Sequence, residues 1–149
     1  MNNQHERYMK IALSEAQKAL QNDEVPIGAI IVCNDKIIGR GYNQTELLND
    51  VTAHAEILAI TSASNFLSSK YLKNCTIYVT IEPCIMCAGA IAWAQIQNIV
   101  FGAKDPKKGY SIFSTKIFNS KINIINGILE NDCSNIISVF FKTKRKNNE

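Results

Sequence analysis

The sequence predicts an α/β fold, a three-layer α/β/α sandwich with a central five-stranded mixed sheet. Three observations lead there. Apolar, strand-like runs alternate with segments of helical periodicity, the pattern of a sheet covered by helices. The first two strand-like runs are separated only by the turn signal Asn34-Asp35, so they form a hairpin and make the sheet mixed. No repeat, linker or low-complexity block interrupts the 149 residues, so residues 1–149 are expected to form one domain.

In chain order, Met9, Ala12, Leu13, Ala16, Ala19 and Leu20 recur at helical spacing and predict a first helix over 6–21. Asn22-Asp23-Glu24 ends it, and Pro26 lies in the loop that follows. Residues 28–33 are short, apolar and β-rich, and 37–42 read as their hairpin partner. Thr52 is expected to cap a helix over 53–64. An apolar strand follows at 76–81, a helix at 84–94 and a short strand at 98–101. Residues 104–120 read as irregular, with Asp105-Pro106 and Gly109 as breakers. A last strand covers 122–125. A final helix covers 130–145, with Ile136, Ile137, Phe140 and Phe141 as its apolar face.

Composition sets the class. Hydrophobic residues make up 46% and charged residues 19%, close to an ordinary globular protein. Residues 1–10 are polar and charged, so no signal peptide is read. The longest uncharged stretch, 84–103, is broken by Gln95, Gln97 and Asn98 and reads as a buried helix and strand, with no membrane span expected. Five cysteines, an odd count without an export signal, argue against a disulfide framework and for a reducing, cytoplasmic setting. The formal charge is +3, and it sits in the C-terminal end at 142–149, where Lys142, Lys144, Arg145 and Lys146 stand against Glu149 alone. Such an end is either a solvated helix terminus or a surface that attracts phosphates.

Two segments carry chemistry. Thr52-Ala53-His54-Ala55-Glu56 stands at the start of one helix, and Glu82-Pro83-Cys84-Ile85-Met86-Cys87 leads a strand into the next. Three residues of helix put the sulfurs of Cys84 and Cys87 on one face, about one turn apart. The unpaired N–H groups and positive end of a helix stabilise thiolates there. A Cys-x-x-Cys alone could equally be a redox pair or two buried thiols. With His54 it makes three metal ligands, and no fourth candidate is found: His5, the other histidine, lies in a segment expected to be solvated. Three ligands leave an open coordination position, the pattern of a catalytic zinc with bound water. Glu56 is then the natural proton carrier, although its alternative is a surface glutamate favoured by the helix N-terminus. Residues two apart on a helix point about 200° from each other. His54 and Glu56 therefore share a site only if His54 stands at the frayed start of the helix, or if the metal lies near its end.

His-x-Glu followed by Pro-Cys-x-x-Cys resembles the cytidine and deoxycytidylate deaminase superfamily. The stretches at 24–29, 41–43, 52–56, 78–90 and 101–105 together resemble the bacterial tRNA-specific adenosine deaminases within it, from the first helix to Phe140-Phe141. The resemblance implies a cytidine deaminase-like fold and hydrolytic conversion of the wobble adenosine of a tRNA anticodon loop to inosine. It implies one zinc ion per chain on His54, Cys84 and Cys87, Glu56 as general acid/base, and a homodimer. Asn43 corresponds to the residue that hydrogen-bonds the purine, Ala55 stands with it among the substrate-binding positions, and Asp105 corresponds to an acidic position near the nucleotide's sugar. Without the resemblance, Asn43 and Asp105 read as turn residues. Lys107, Lys108, Lys142, Lys144 and Arg145 are candidates for RNA phosphates. The stretch 106–113 departs from the family pattern. Two alternatives stand beside this reading: a free-base deaminase acting on guanine or cytosine, and a non-catalytic, zinc-stabilised RNA-binding module.

Overall fold

A computed structural model describes residues 2–114 and 116–148; Thr115 in the irregular stretch and Glu149 in the basic end lie outside the described residues. The element order is α1 (Asn2–Gln21), β1 (Gly28–Cys33), β2 (Lys36–Tyr42), α2 (Ala55–Leu67), β3 (Cys75–Ile81), α3 (Ile85–Trp93), β4 (Asn98–Ala103), α4 (Tyr110–Phe113), β5 (Asn123–Ile125) and α5 (Glu130–Asn147). The strands form one sheet in the order β2-β1-β3-β4-β5. β1 pairs antiparallel with both β2 and β3, while β3–β4 and β4–β5 are parallel. The sheet is therefore mixed, with its antiparallel part made by the hairpin.

The strands alternate between two cores because successive side chains point to opposite faces. Ala29, Ile31, Ile77, Val79, Ile99 and Phe101 pack with Ala55, Ala59 and Ala63 of α2 and with Ala88 and Ile91 of α3. Ile30, Val32, Tyr78 and Val100 pack the other way, against Tyr8, Met9 and Ala12 of α1 and Cys133 of α5. Ile30, Ile31, Ile77, Ile91, Ile96 and Ile99 are all fully buried. Each such side chain contributes about 1.5–3 kcal/mol by leaving water. Among the described residues, no helix is long and apolar enough to cross a membrane.

Several boundaries differ from the sequence expectation. α1 begins a turn earlier, and this brings His5 onto the sheet, where it is half-buried and its Nδ1 lies 2.8 Å from the Tyr78 hydroxyl. Thr52 does not cap α2. Its N–H and Oγ–H both donate to Asp50 Oδ1, at 2.8 and 2.7 Å, and His54 takes the cap position. The stretch 104–120 contains the one-turn α4, seated by the buried Tyr110. On α5 the inward residues are Cys133 and Phe140, whereas Phe141 is 43% exposed.

α2 lies unusually close to β2. A Cβ on Gly41 would run into the Ala55 carbonyl and the Ala59 N–H, and one on Gly39 into the same backbone one turn on. The Ala55-Ala59-Ala63 stripe and the two glycines thus fit helix backbone to strand backbone. Gly41→Ala is expected to lower stability by about 1–3 kcal/mol through overpacking. Gly89→Ala, in open space on α3, is expected to leave stability unchanged or raise it by up to about 1 kcal/mol. Urea midpoints of the two variants check this.

Candidate active site

The start of α2 faces the start of α3. His54 is the N-cap residue of α2, in extended backbone (φ −77°, ψ 157°), and its carbonyl accepts from the Leu58 N–H at 3.1 Å. Cys84 is the N-cap residue of α3, also extended (φ −70°, ψ 172°), and its carbonyl accepts from the Ala88 N–H at 2.8 Å. Because His54 precedes the helix, the 200° conflict with Glu56 does not arise. Of the two arrangements the sequence allowed, the residue stands at the helix start. Cys87 follows within the first turn of α3 and is buried.

These three side chains converge. His54 Nδ1 lies 3.6 Å from Cys84 Sγ and 3.5 Å from Cys87 Sγ. All three donor atoms lie within 4.8 Å of one another, so the group can hold a metal ion. Bonds of about 2.05 Å to nitrogen and about 2.3 Å to sulfur at a tetrahedral angle place N and S about 3.6 Å apart, so the spacing fits tetrahedral zinc geometry. The electrostatics agree. The hydrogen bond from Cys87 holds the Cys84 thiol down to about 4, with His54 adding to the effect. The same hydrogen bond, followed by burial, pushes the Cys87 thiol far up. The Cys84 hydrogen bond raises the His54 imidazole. A thiolate, a thiol and a proton-holding imidazole are a set that a dication completes by displacing the remaining protons.

Glu56, in the first turn of α2, is 3% exposed. Burial pushes its carboxyl up to about 7. A group with that proton affinity can both take and give a proton near neutral pH.

The remaining predicted residues divide. Asn43, just past β2, is 6% exposed. Its N–H donates to Ile27 O at 3.1 Å. The next residue, Gln44, donates from its N–H to Ala53 O at 2.9 Å, which ties Asn43 to the approach to His54. Ala55 is fully buried as the first residue of α2. Asp105 lies in the loop after β4, where its Oδ1 accepts from the N–H groups of Lys107 and Lys108, both at 3.0 Å. Lys107 and Lys108 themselves are exposed. Lys142 and Arg145 are exposed on α5, but Lys144 is paired with Asp23 at 2.6 Å and leans over the Phe140 ring.

Sequence reasoning missed two buried acids that order loops; a third, Glu15, is paired with Lys18 and Arg40. Glu24 is 2% exposed and accepts from the N–H groups of Glu46 and Leu47, at 3.1 and 2.7 Å, which fixes the loop after Asn43. Glu82 is 4% exposed and accepts from the loop after β4. The available signal was a carboxylate within two residues of a proline, Glu24-Val25-Pro26 and Glu82-Pro83, at the edge of an apolar strand where an unpaired charge is costly.

In metal-stripped protein, iodoacetamide is expected to alkylate Cys84 ahead of Cys87. The lowered Cys84 value keeps thiolate present above about 4, so the rate should hold from about pH 8 to about pH 5 and fall only below that. Peptide mapping across that range checks it. A tenfold loss per pH unit below about 8 would mark an ordinary thiol.

Comparison with known proteins agrees with this geometry. The MafB19-like deaminase family matches residues 3–145. A tRNA-specific adenosine deaminase of Bacillus subtilis (strain 168) is 43% identical over 148 residues, covering 96% of this chain and 92% of the relative. Another, from Buchnera aphidicola subsp. Schizaphis graminum (strain Sg), is 48% identical over 149 residues, covering 96% and 97%. A solved structure from studies of A-to-I editing by tRNA:A34 deaminases at the wobble position of transfer RNA is 40% identical. It has a TM-score of 0.81 and covers 87% of this chain and 98% of that one. The five-stranded mixed sheet with its helices is the cytidine deaminase-like fold of that structure. Fold, donor group and similarity along nearly the whole length agree: the chain belongs to the MafB19-like deaminases and, within them, to the tRNA-specific adenosine deaminase family.

Proposed function

We propose that this chain deaminates adenosine to inosine at the wobble position of a tRNA anticodon, with one zinc ion per chain held by His54, Cys84 and Cys87. The observation that carries the reading is the convergence of one nitrogen and two sulfur donors, 3.5 and 3.6 Å apart, beside the buried Glu56 carboxyl. Three protein donors leave a fourth position open, as catalytic rather than structural zinc sites do. When bound, zinc supplies Lewis-acid activation of a water molecule near neutral pH.

The chain's own residues do the rest. Glu56 is the general acid/base: its carboxyl takes a proton from the attacking water and delivers it to N1 of the adenine. It then assists departure of the 6-amino group, so adenosine and water become inosine and ammonia. Asn43, buried just past β2, carries an amide that can offer a donor and an acceptor to the purine edge. Ala55 brings a main-chain N–H at the start of α2, where helices have no internal partner for it. Asp105 has one oxygen committed to the Lys107 and Lys108 N–H groups, so the other is the one available to a ribose 2′-hydroxyl.

Basic residues supply salt-dependent affinity for phosphates. Lys107 and Lys108 flank Asp105. The C-terminal end of α5 is tethered by Lys144 to Asp23, next to the Glu24 that fixes the loop after Asn43, which leaves Lys142 and Arg145 free to meet RNA at the same edge. Trp93 is 86% exposed and Ile85 44% exposed on α3, an apolar face suited to a second copy in a homodimer. A tRNA substrate places the work in the cytoplasm.

The direct experiment incubates zinc-loaded protein with total tRNA and maps inosine. The expected result is inosine at a wobble position, with no ammonia released from free guanine or cytosine. Glu56→Ala is expected to keep zinc and tRNA binding while losing well over tenfold in deamination. Turnover within about tenfold of the unmodified protein, only about 1.4 kcal/mol of barrier, would assign the proton transfers elsewhere.

A further inference from the structure

We propose that Glu82 is a positioning residue, whose buried carboxylate clamps the segment 105–113 onto the strand end that carries Cys84 and so holds it ready for the substrate. The proposal rests on the tRNA reading above, and it assigns to Glu82 a role that the donor group and Glu56 do not cover. Glu82 follows β3 directly and precedes Pro83-Cys84. Its Oε1 accepts from the Asp105 N–H at 3.2 Å. Its Oε2 accepts from the Ser111 N–H at 3.0 Å and from the Ser111 Oγ–H at 2.6 Å. Three donors thus point into a group that, ionised, only accepts.

Backbone contacts bind the same segment to the two residues that follow Glu82. The Tyr110 N–H donates to Pro83 O at 2.9 Å, and Gly109 forms a β-bridge with Cys84. Gly109 sits so close to the clamp that a Cβ there would run into the Glu82 carboxylate. Asp105 in turn closes the 106–108 turn through its own Oδ1. Carboxylate, Asp105 and turn therefore form one connected unit. The buried Tyr110, edge-on to Phe118, seats one end of the segment, but the rest is open: Pro106, Lys107 and Lys108 are exposed, and Ile112 and Phe113 are 51% and 62% exposed. A segment fixed beforehand meets RNA without an ordering cost at the moment of binding.

The test uses Glu82→Gln, nearly isosteric, which turns one acceptor oxygen into a donor facing Ser111. Ser111→Ala, at an exposed residue, removes one of the three donors and should fold whether or not Glu82→Gln does. Expected for Glu82→Gln are unchanged zinc content, a KM for tRNA raised about tenfold, kcat within about threefold, and faster amide exchange confined to residues 105–111. Ser111→Ala should raise KM by a smaller factor, and its effect should shrink in the double variant because the shared hydrogen bond is already lost. A merely structural role would lower the folded fraction, and so kcat, while leaving KM unchanged; that result in both variants, or exchange at 105–111 no faster than in the unmodified protein, would overturn the proposal. If the unmodified protein makes no inosine, the tRNA reading fails on its own, and the exchange measurement still decides whether Glu82 is the clamp.

Discussion

The structure depends on one constraint: two helices must begin face to face, so that the nitrogen of an N-cap histidine comes within 3.5–3.6 Å of two sulfurs on the other helix. Neither His54 nor Cys84 is a favoured capping residue, and neither makes a side-chain capping bond. Their extended backbone turns the side chains away from the helices they start and toward each other. The rest of the fold holds this geometry in place. β1, which pairs antiparallel with β3, sets the distance between the hairpin and the strand that ends at the cysteines. Gly39 and Gly41 let α2 settle onto β2 at backbone contact, which fixes how far His54 reaches.

Glu24, Glu56 and Glu82 are buried carboxylates whose partners separate their roles. Glu24 and Glu82 each accept from main-chain N–H groups of a loop, one after β2 and one after β4. They are anchors, with the desolvation of the charge offset by the donors aimed at it. Glu56 is instead pressed against the cysteines, and burial raises its proton affinity. A carboxylate held by several main-chain donors is fixed in place, whereas the burial of Glu56 raises its affinity for a proton. The same chemical group thus serves as fastener twice and as proton carrier once, according to what faces it.

Much of this was legible in the sequence because local rules governed it. The hairpin at Asn34-Asp35, the alternation of strands and helices, and the convergence of His54 with Cys84 and Cys87 follow from turn chemistry, periodicity and ligand spacing. Most of what was hidden depended on residues distant in sequence, the exception being Thr52, lost to a competitor two residues away. Thr52 looked like a helix cap, but Asp50 captured both of its donors. His5 looked solvated until α1 extended over Tyr78. Phe141 fits the apolar stripe of α5, yet the residues turned inward are Cys133 and Phe140, and Phe141 stays 43% exposed. The stretch 104–120 carried breakers and no period, so nothing local showed that Glu82 and Tyr110 would order its first half. Lys144 counted among free positive charges until its pairing with Asp23 across the fold.

The central claim is a three-donor metal centre with one coordination position left for chemistry. X-ray absorption at the zinc edge tests it most directly. The account predicts one zinc per chain bound to two sulfurs at about 2.3 Å, one imidazole nitrogen at about 2.0–2.1 Å and one further light atom that is exchangeable. Three or four sulfurs around the metal, or four protein donors with no exchangeable ligand, would contradict it.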